Sequence, residues 1–459
     1  MARRQRPAPT NRRRRESAFW PSPARRSLIH LLHLGFPPAR FVRGATARTL
    51  GRKDCGMVDI GATGRTARAA DRNAGAGIAS LKSPVDVRPA DAVALAEYEA
   101  FCASALYAPP QNPVWVRAWI GATQADAFVA TVDRDGRAAI ALVLEVVREG
   151  PFRIARFVGG SHANGNFAAM AKGSHEPLAR DEYRALTEAI HTARPDVDLV
   201  VLERQNPAAA SVPNPLTNMA TMPSPNVSLA VDLSGGFDAM LTRRNGKRKR
   251  KKYRLQLRKF EDAGGHRLFE AGAPAEVERL ISEFFVMKAA RFQERGITDV
   301  FAPQEVQAFF RDLFMSALEQ PRPPFFLTGL EVAGRLQGVN GFSVMPDGVV
   351  CEFCAMRDED LGISPGFFLD YVAMEQACAD AMGIFDFSVG DEEYKRSWCD
   401  LETWQFDTLL PLTGKGRLLS AWKIARAKAV HRIKSNAMLW SAVKRLRSRV
   451  AGAKPAGDD

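Results

Sequence analysis

No apolar run in this 459-residue sequence approaches the roughly 18 residues that a membrane-spanning helix needs. The longest near the start, Leu28 to Phe36, is interrupted by His30 and His33. Cysteine is scarce, six in all, without the spacing of a secreted disulfide scaffold, which points to free thiols and a reducing compartment. The histidines form no HExxH pair, and no second CxxC accompanies Cys351 and Cys354. Their context, Val-Val-Cys-Glu-Phe-Cys-Ala-Met, reads as a strand, where an offset of three sends side chains to opposite faces, so no metal site is expected.

Acid is missing where base is dense. Residues 1–56 hold fourteen Lys and Arg against Glu16 and Asp54, which leaves residues 57–459 almost neutral out of a formal net charge of +13. Within that remainder, 243–259 and 415–450 contain no Asp or Glu and eleven Lys and Arg each, so an anionic partner is expected to meet these two patches. Residues 1–80 are rich in Arg, Pro, Ala and Gly without sustained periodicity, a composition that buries too little apolar surface to offset the entropy of ordering. Disorder is expected there, and Met57 offers an alternative start. Arg25 and Arg26 resemble the opening of a twin-arginine export signal, but the histidines and the lack of a small-residue cleavage site argue for a cytoplasmic protein, at most peripheral at the inner membrane face.

The remainder, in a chain that is 46% hydrophobic, is long enough for two cores. Ala92 to Leu106 reads as a helix, Phe128 to Val132 as a strand, and Asp133-Arg134-Asp135-Gly136 as a turn into the strand Ala138 to Val147, with Phe152 to Val158 returning. Asp181 to Thr192 reads as a helix, Leu199 to Leu202 as a short buried strand, and Ala208 to Pro225 as an irregular connection. Beyond it, Val277, Leu280, Ile281, Phe284 and Phe285 recur at helical spacing, as do Val306, Phe309, Phe310, Leu313 and Phe314. Phe325 to Val332, Leu336 to Met345 and Val349 to Met356, joined by Ala333-Gly334 and Pro346-Asp347-Gly348, predict an antiparallel meander. Ser364-Pro365-Gly366 then opens a helix, with a hydroxyl N-cap and proline in first position, whose apolar face is Phe367, Tyr371, Met374, Cys378 and Ala381. Ile384 to Ser388 is a further strand. The expected division is an extension at 1–80, domains at 84–234 and 235–414, and a tail at 415–459.

Two features of the second unit carry chemistry. Free amides at the start of the Ser364 helix are suited to a pyrophosphate. Glu352 is the one charged residue in an apolar strand, which makes it either a base with a raised pKa or a solvated carboxylate at a strand edge.

The order strand, loop, helix start and then Phe385-Asp386-Phe387-Ser388-Val389-Gly390-Asp391-Glu392-Glu393-Tyr394-Lys395-Arg396-Ser397-Trp398 closely resembles the DFxxGxxxYKxxF-like signature of CelD-type and FemAB-like GNAT proteins. Trp398 stands where those proteins carry an aromatic. The resemblance covers about residues 240–412, and Gln111-Asn112-Pro113-Val114-Trp115 more weakly resembles the start of a first GNAT-like half. It implies an α+β fold: two tandem GNAT-like mixed-sheet domains with a disordered basic N-terminal extension and a C-terminal basic helix. It also implies acetyl-CoA or a longer acyl-CoA as cosubstrate, held between splayed strands by Met356, Arg357, Gly362, Ser364, Gly366 and Phe367. The glycine-rich phosphate loop usual in such proteins is reduced here to Gly362 and Gly366. The implied acceptor is an amine, on a small molecule or on an amino sugar of an envelope or extracellular polysaccharide.

Direct acyl transfer needs a proton acceptor for the amine and a donor for the leaving thiolate. Glu352 is read as the base, Tyr394 as the donor and Lys395 as an oxyanion or phosphate ligand; packing and a surface ion pair are the alternatives for the last two. Asp386 and Asp391 are read as turn carboxylates that accept backbone hydrogen bonds. The run Arg243 to Lys252 reads as an exposed helix, solvated or in contact with the phosphates of CoA, a nucleotide sugar or RNA. Residues 417–450, with Leu419, Trp422, Ala429, Ile433, Trp440 and Val443, read as a basic amphipathic helix that packs on its own protein or meets an anionic membrane. Nucleic acid is not an expected partner of an acyl-CoA enzyme. The FemAB-like alternative, however, draws its acyl group from charged tRNA, and a third reading is a non-catalytic, membrane-docked accessory factor in polysaccharide assembly.

Overall fold

Asp135 and Gly136, at φ 52° and 74°, form the two-residue turn whose backbone matches the twist of the strands it joins, and the same chemistry recurs at Ala333 and Gly334, at φ 50° and 75°. These turns close the central hairpins of two similar halves. The computed structural model describes residues 84–174, 176–357 and 362–435, and the expectations for residues 1–80 and 436–459 lie outside them. The first half runs β1 (Val85–Pro89), α1 (Ala92–Cys102), β2 (Ala105–Leu106), α2 (Pro113–Thr123), β3 (Ala127–Arg134), β4 (Arg137–Glu149), β5 (Phe152–Phe157), β6 (Ala169–Ala171), α3 (Arg180–Ala193) and β7 (Leu199–Gln205). The connection holds a small hairpin, β8 (Ala208–Ala209) and β9 (Val212–Pro213). The second half runs β10 (Met222–Asp232), α4 (Gly236–Arg243), α5 (Gly246–Asp262), β11 (His266–Glu270), α6 (Pro274–Glu294), α7 (Gln304–Leu318), β12 (Phe325–Val332), β13 (Arg335–Met345), β14 (Gly348–Met356), α8 (Pro365–Ala379), β15 (Ile384–Val389), α9 (Glu393–Arg396) and β16 (Leu401–Pro411), and α10 (Gly414–Ser435) follows.

Three elements differ from their expected bounds or faces. The helix read over Ala92 to Leu106 stops at Cys102, because Ala105 and Leu106 leave it to pair with Ala171 and Met170. The connection read as irregular through Pro225 contains the β8–β9 hairpin, and β10 has begun by Met222. On α8, Ala381 lies past the helix end at φ 57°, while Phe368, Leu369 and Asp370 are buried with Tyr371 and Met374.

Each half repeats one plan: an antiparallel meander, a helix, and a strand that returns parallel to the last strand of the meander. In the first half Ile154–Arg156 pair with Leu199–Val201, and in the second Gly348–Val350 pair with Ile384–Asp386. Both parallel contacts last three rows. Because β16 pairs with β7 on one side and β10 on the other, the halves share one sheet in the order β1-β3-β4-β5-β7-β16-β10-β15-β14-β13-β12-β11. The fold is α+β with a mixed sheet.

Helices cover both faces. The apolar stripes of α6 and α7 meet α2 in an aromatic cluster, with Trp115 4.9 Å from Phe309 and Phe284 4.1 Å from Phe353. A second core under α8 gathers Tyr371, Met374, Phe385, Phe387 and Trp398.

Gly341 on β13 faces the Phe353 ring so closely that a Cβ would lie 2.4 Å from it. Phe353 is wedged against Phe284, Phe310 and Phe314 and has nowhere to retreat. Gly341→Ala is expected to lower the unfolding free energy by about 1–3 kcal/mol, read by urea denaturation.

Candidate functional site

The pairing of β14 with β15 ends at Val350 and Asp386, yet β14 continues to Met356. Main-chain groups along that free edge must be satisfied by something other than a strand. Ser388 Oγ donates to Cys351 O at 3.2 Å, and Asn164 Nδ2 donates to Glu352 O at 2.9 Å.

A bulge lies at the divergence. Gly341 lies opposite Phe353 and Phe342 opposite Cys351, so Glu352 is the extra residue. Val349 and Cys351 therefore lie in the core under α8, whereas Phe353 and Ala355 lie in the core of α6 and α7. The alternation on which Cys351 and Cys354 were expected to face apart is broken at this point, and the offset of three no longer separates them. Among the described residues no group of three or more His, Cys, Asp or Glu is placed to hold a metal ion.

The Glu352 carboxylate accepts from Ser343 Oγ at 2.6 Å and from Asn164 Nδ2 at 2.9 Å. It is largely enclosed by protein and keeps some contact with solvent. Burial pushes its pKa from 4.5 to about 7; the two hydrogen bonds work against that rise and Asp386 adds to it. The net lift corresponds to about 3 kcal/mol against the ionised form.

Asp386, on β15, is raised by burial and accepts from Ser388 N at 2.6 Å and Ser228 Oγ at 3.2 Å. It does accept a backbone amide. Asp391 instead pairs with the Arg396 side chain, which corrects its reading as a backbone acceptor. On α8, the buried Asp370 is pushed up to about 7 by burial, against the pull of Lys395 and Lys252. Lys395 is buried, its Nζ 2.9 Å from Val389 O and 3.1 Å from the Glu392 carboxylate, so it caps the end of β15. Tyr394 is 45% exposed and sets its ring edge-on to Phe387. Burial of its hydroxyl end, and then the thiols of Cys354 and Cys351, raise the hydroxyl pKa.

At the start of α8 the predicted capping hydroxyl is not used: Ser364 makes no side-chain cap, because its own amide is held by Gln256 Oε1 at 2.6 Å with the residue at φ −128°, ψ 80°. First-turn amides of α8 are thereby left uncapped by any hydroxyl. Gly362, at φ 60°, presents its carbonyl to Lys259 Nζ. Gly366 gives room to Met356, whose Sδ would be 2.3 Å from a Cβ there. Phe367 stacks on Trp398 at 5.4 Å under Lys252, and Arg357 binds Leu336 O and the Glu283 carboxylate.

The basic run is split by Asn245, at φ 58°, into α4 and α5. Lys249 lies 4.2 Å from the Trp398 ring and 2.7 Å from Ser397 O, with its pKa pushed down to about 8 by burial. Lys247, Arg248, Lys251, Arg254 and Arg258 remain exposed.

Sequence reasoning missed Asn164, Ser343 and Asp370. Asp370, a lone acid in an apolar helix stretch, carries the same signal that singled out Glu352. Asn164 carries none, being 188 residues away.

Residues 247–396 match the family model described as "Acetyltransferase (GNAT) domain". That stretch is an acyltransferase domain, and it contains the bulge, the parting of β14 from β15 and α8. Among solved structures, the chain is similar to FemX at 11% identity and TM-score 0.50, over 71% of this chain and 98% of that one. It is also similar to a tandem GNAT protein from the clavulanic acid biosynthesis pathway, at 15% identity and TM-score 0.39, over 72% and 99%. The comparison with curated proteins gives no match.

Because Glu352 titrates higher in the folded chain than in the unfolded one, its contribution is intact below about pH 4.5 and is lost as pH rises through about 7. Glu352→Gln removes that loss. The variant should be more stable than the parent by about 1–3 kcal/mol at pH 8, with the gap closing by pH 5, in urea melts at both pH values.

Proposed function

We propose that this chain transfers an acyl group from acyl-CoA to an amine, with Glu352 as base and Tyr394 as proton donor. The observation that carries the reading is the parting of β14 from β15 with the buried Glu352 carboxylate at the parting point, its pKa raised by that burial. The free edge of β14 suits the amides of a pantetheine arm, which would pair with it as an added strand does. The uncapped first-turn amides of α8, with Gly362 before them, suit its phosphates, the Ser364 amide being already held by Gln256. Met356 and Gly366 set the distance between strand and helix, Phe367 packs behind, and Arg357 lies at the strand end.

In the transfer, Glu352 takes the proton from the attacking amine as the carbon–nitrogen bond forms. Tyr394 supplies a proton to the departing thiolate as the carbon–sulfur bond breaks. Lys395 keeps the end of β15, and hence Tyr394, in place. A carboxyl with a pKa of about 7 is matched to neutral pH, where half is available to accept a proton.

We read the acceptor as an amino sugar, on the resemblance to CelD-type proteins. The FemAB-like alternative draws support from the exposed base of α5, with Lys247, Arg248, Lys251, Arg254 and Arg258 along it. The tail also suits an anionic bilayer surface: α10 exposes Leu418 (70%) and Trp422 (54%) among Lys415, Arg417, Arg426 and Lys428.

Thermal-shift titration with acetyl-CoA and longer acyl-CoAs should give saturable stabilisation, and thiol release with a panel of amines including glucosamine should give turnover. Glu352→Gln should lower kcat by roughly 10²–10⁴-fold with little change in the KM for acyl-CoA. No thioester binding, together with salt-sensitive tRNA binding that disappears when Lys247 to Lys252 are neutralised, would move the assignment to the FemAB-like reading.

A further inference from the structure

In the first half, the gap beyond the three paired rows of β5 and β7 corresponds to the parting of β14 from β15, and the chain itself closes it. Gly159 and Gly160, at φ 95° and 49°, turn the chain back; a Cβ at either would meet Trp115 at 2.9 Å or Arg156 at 2.8 Å. Asn166 then forms a parallel bridge to Gln205, with its amide 2.8 Å from Arg204 O. Arg204 Nη1 holds Ser161 O and Ala163 O, each at 3.0 Å.

This closed loop projects Asn164 into the second half. Gln405 Nε2 grips Asn164 O at 3.1 Å and Asn206 Oδ1 at 2.9 Å, and Gly165 is needed because a Cβ there would lie 2.9 Å from the Asn206 amide. Asn164 Nδ2 reaches both Glu352 O and Glu352 Oε2 at 2.9 Å.

We propose that the first half acts as a positioning arm for the second, with Asn164 fixing the Glu352 carboxylate at the bulge. The proposal rests on the reading of Glu352 as the base. One amide nitrogen that holds both the main chain and the side chain of a residue sets its rotamer, and a neutral donor does so without neutralising the carboxylate. Ser343 holds the other carboxylate oxygen from β13. The charge that acts on Glu352 from β15 is Asp386, whereas Asp370 on α8, Lys395 on α9 and Lys288 on α6 act on the neighbouring thiols. The arm explains why one half keeps a GNAT-like sheet while its own gap is sealed.

The test uses the full chain with Asn164→Leu and the volume-matched Asn164→Asp, each alone and combined with Glu352→Gln. Both single variants should lose roughly tenfold in kcat/KM near pH 7, with the acid limb of the profile moved to higher pH and the KM for acyl-CoA unchanged. Independently of turnover, Asn164→Leu should destabilise the chain more at pH 8 than at pH 5, and this difference should vanish in the Glu352→Gln background. An unmoved acid limb with pH-independent destabilisation would overturn the proposal. Absence of turnover in the parent with every amine would sink the base assignment, and with it the arm's catalytic role; the stability cycle would then report on the contact alone.

Discussion

A parallel pair that holds for only three rows leaves the two strand edges beyond it without backbone hydrogen bonds to each other, with the bulge at Glu352 on β14 and Ser388 at φ 59° on β15 at the point of parting. Backbone groups in that position have to be satisfied, so an opening of this kind persists only where side chains, solvent or a ligand take the place of the missing strand. Here Ser388 and Asn164 take part of it, and beyond Val350 no strand pairs with the rest of that edge. The same bulge carries the Glu352 carboxylate, so the residue proposed as the base sits where the two strands part.

The opening is held by packing on both sides. After the bulge, Phe353 is locked among Phe284, Phe310 and Phe314, while Cys351 before it sits with Tyr371 and Phe385. Straightening the strand would move one of these residues to the wrong core. Buried aromatic side chains are worth several kcal/mol each, more than the few backbone hydrogen bonds that a closed pair would add.

Residues whose chemistry was visible in the sequence are those in which composition and local pattern disagree. Glu352 inside an apolar strand was visible for that reason, and Asp370 in an apolar helix could have been. Lys395 was visible as a charge, but its direction, inward to Val389 O, is set by the turn that α9 makes after Gly390. Ser364 shows the limit of local rules: the sequence has a capping residue, and Gln256 from another helix takes its amide instead. The opposite-face reading of Cys351 and Cys354 failed because one inserted residue shifts the period of a strand, which no spacing rule anticipates.

By itself the sequence determined the local elements. Apolar periodicity placed α6, α7 and the β12–β13–β14 meander, and the turn pairs at 135–136 and 333–334 placed their hairpins, since these depend on interactions between near neighbours. Only the tertiary structure decided that β16 joins two sheets into one, that β14 bulges where it does, and that Asn164 reaches a carboxylate 188 residues away. Those outcomes depend on contacts between distant segments, whose free energies appear only when the whole chain is folded.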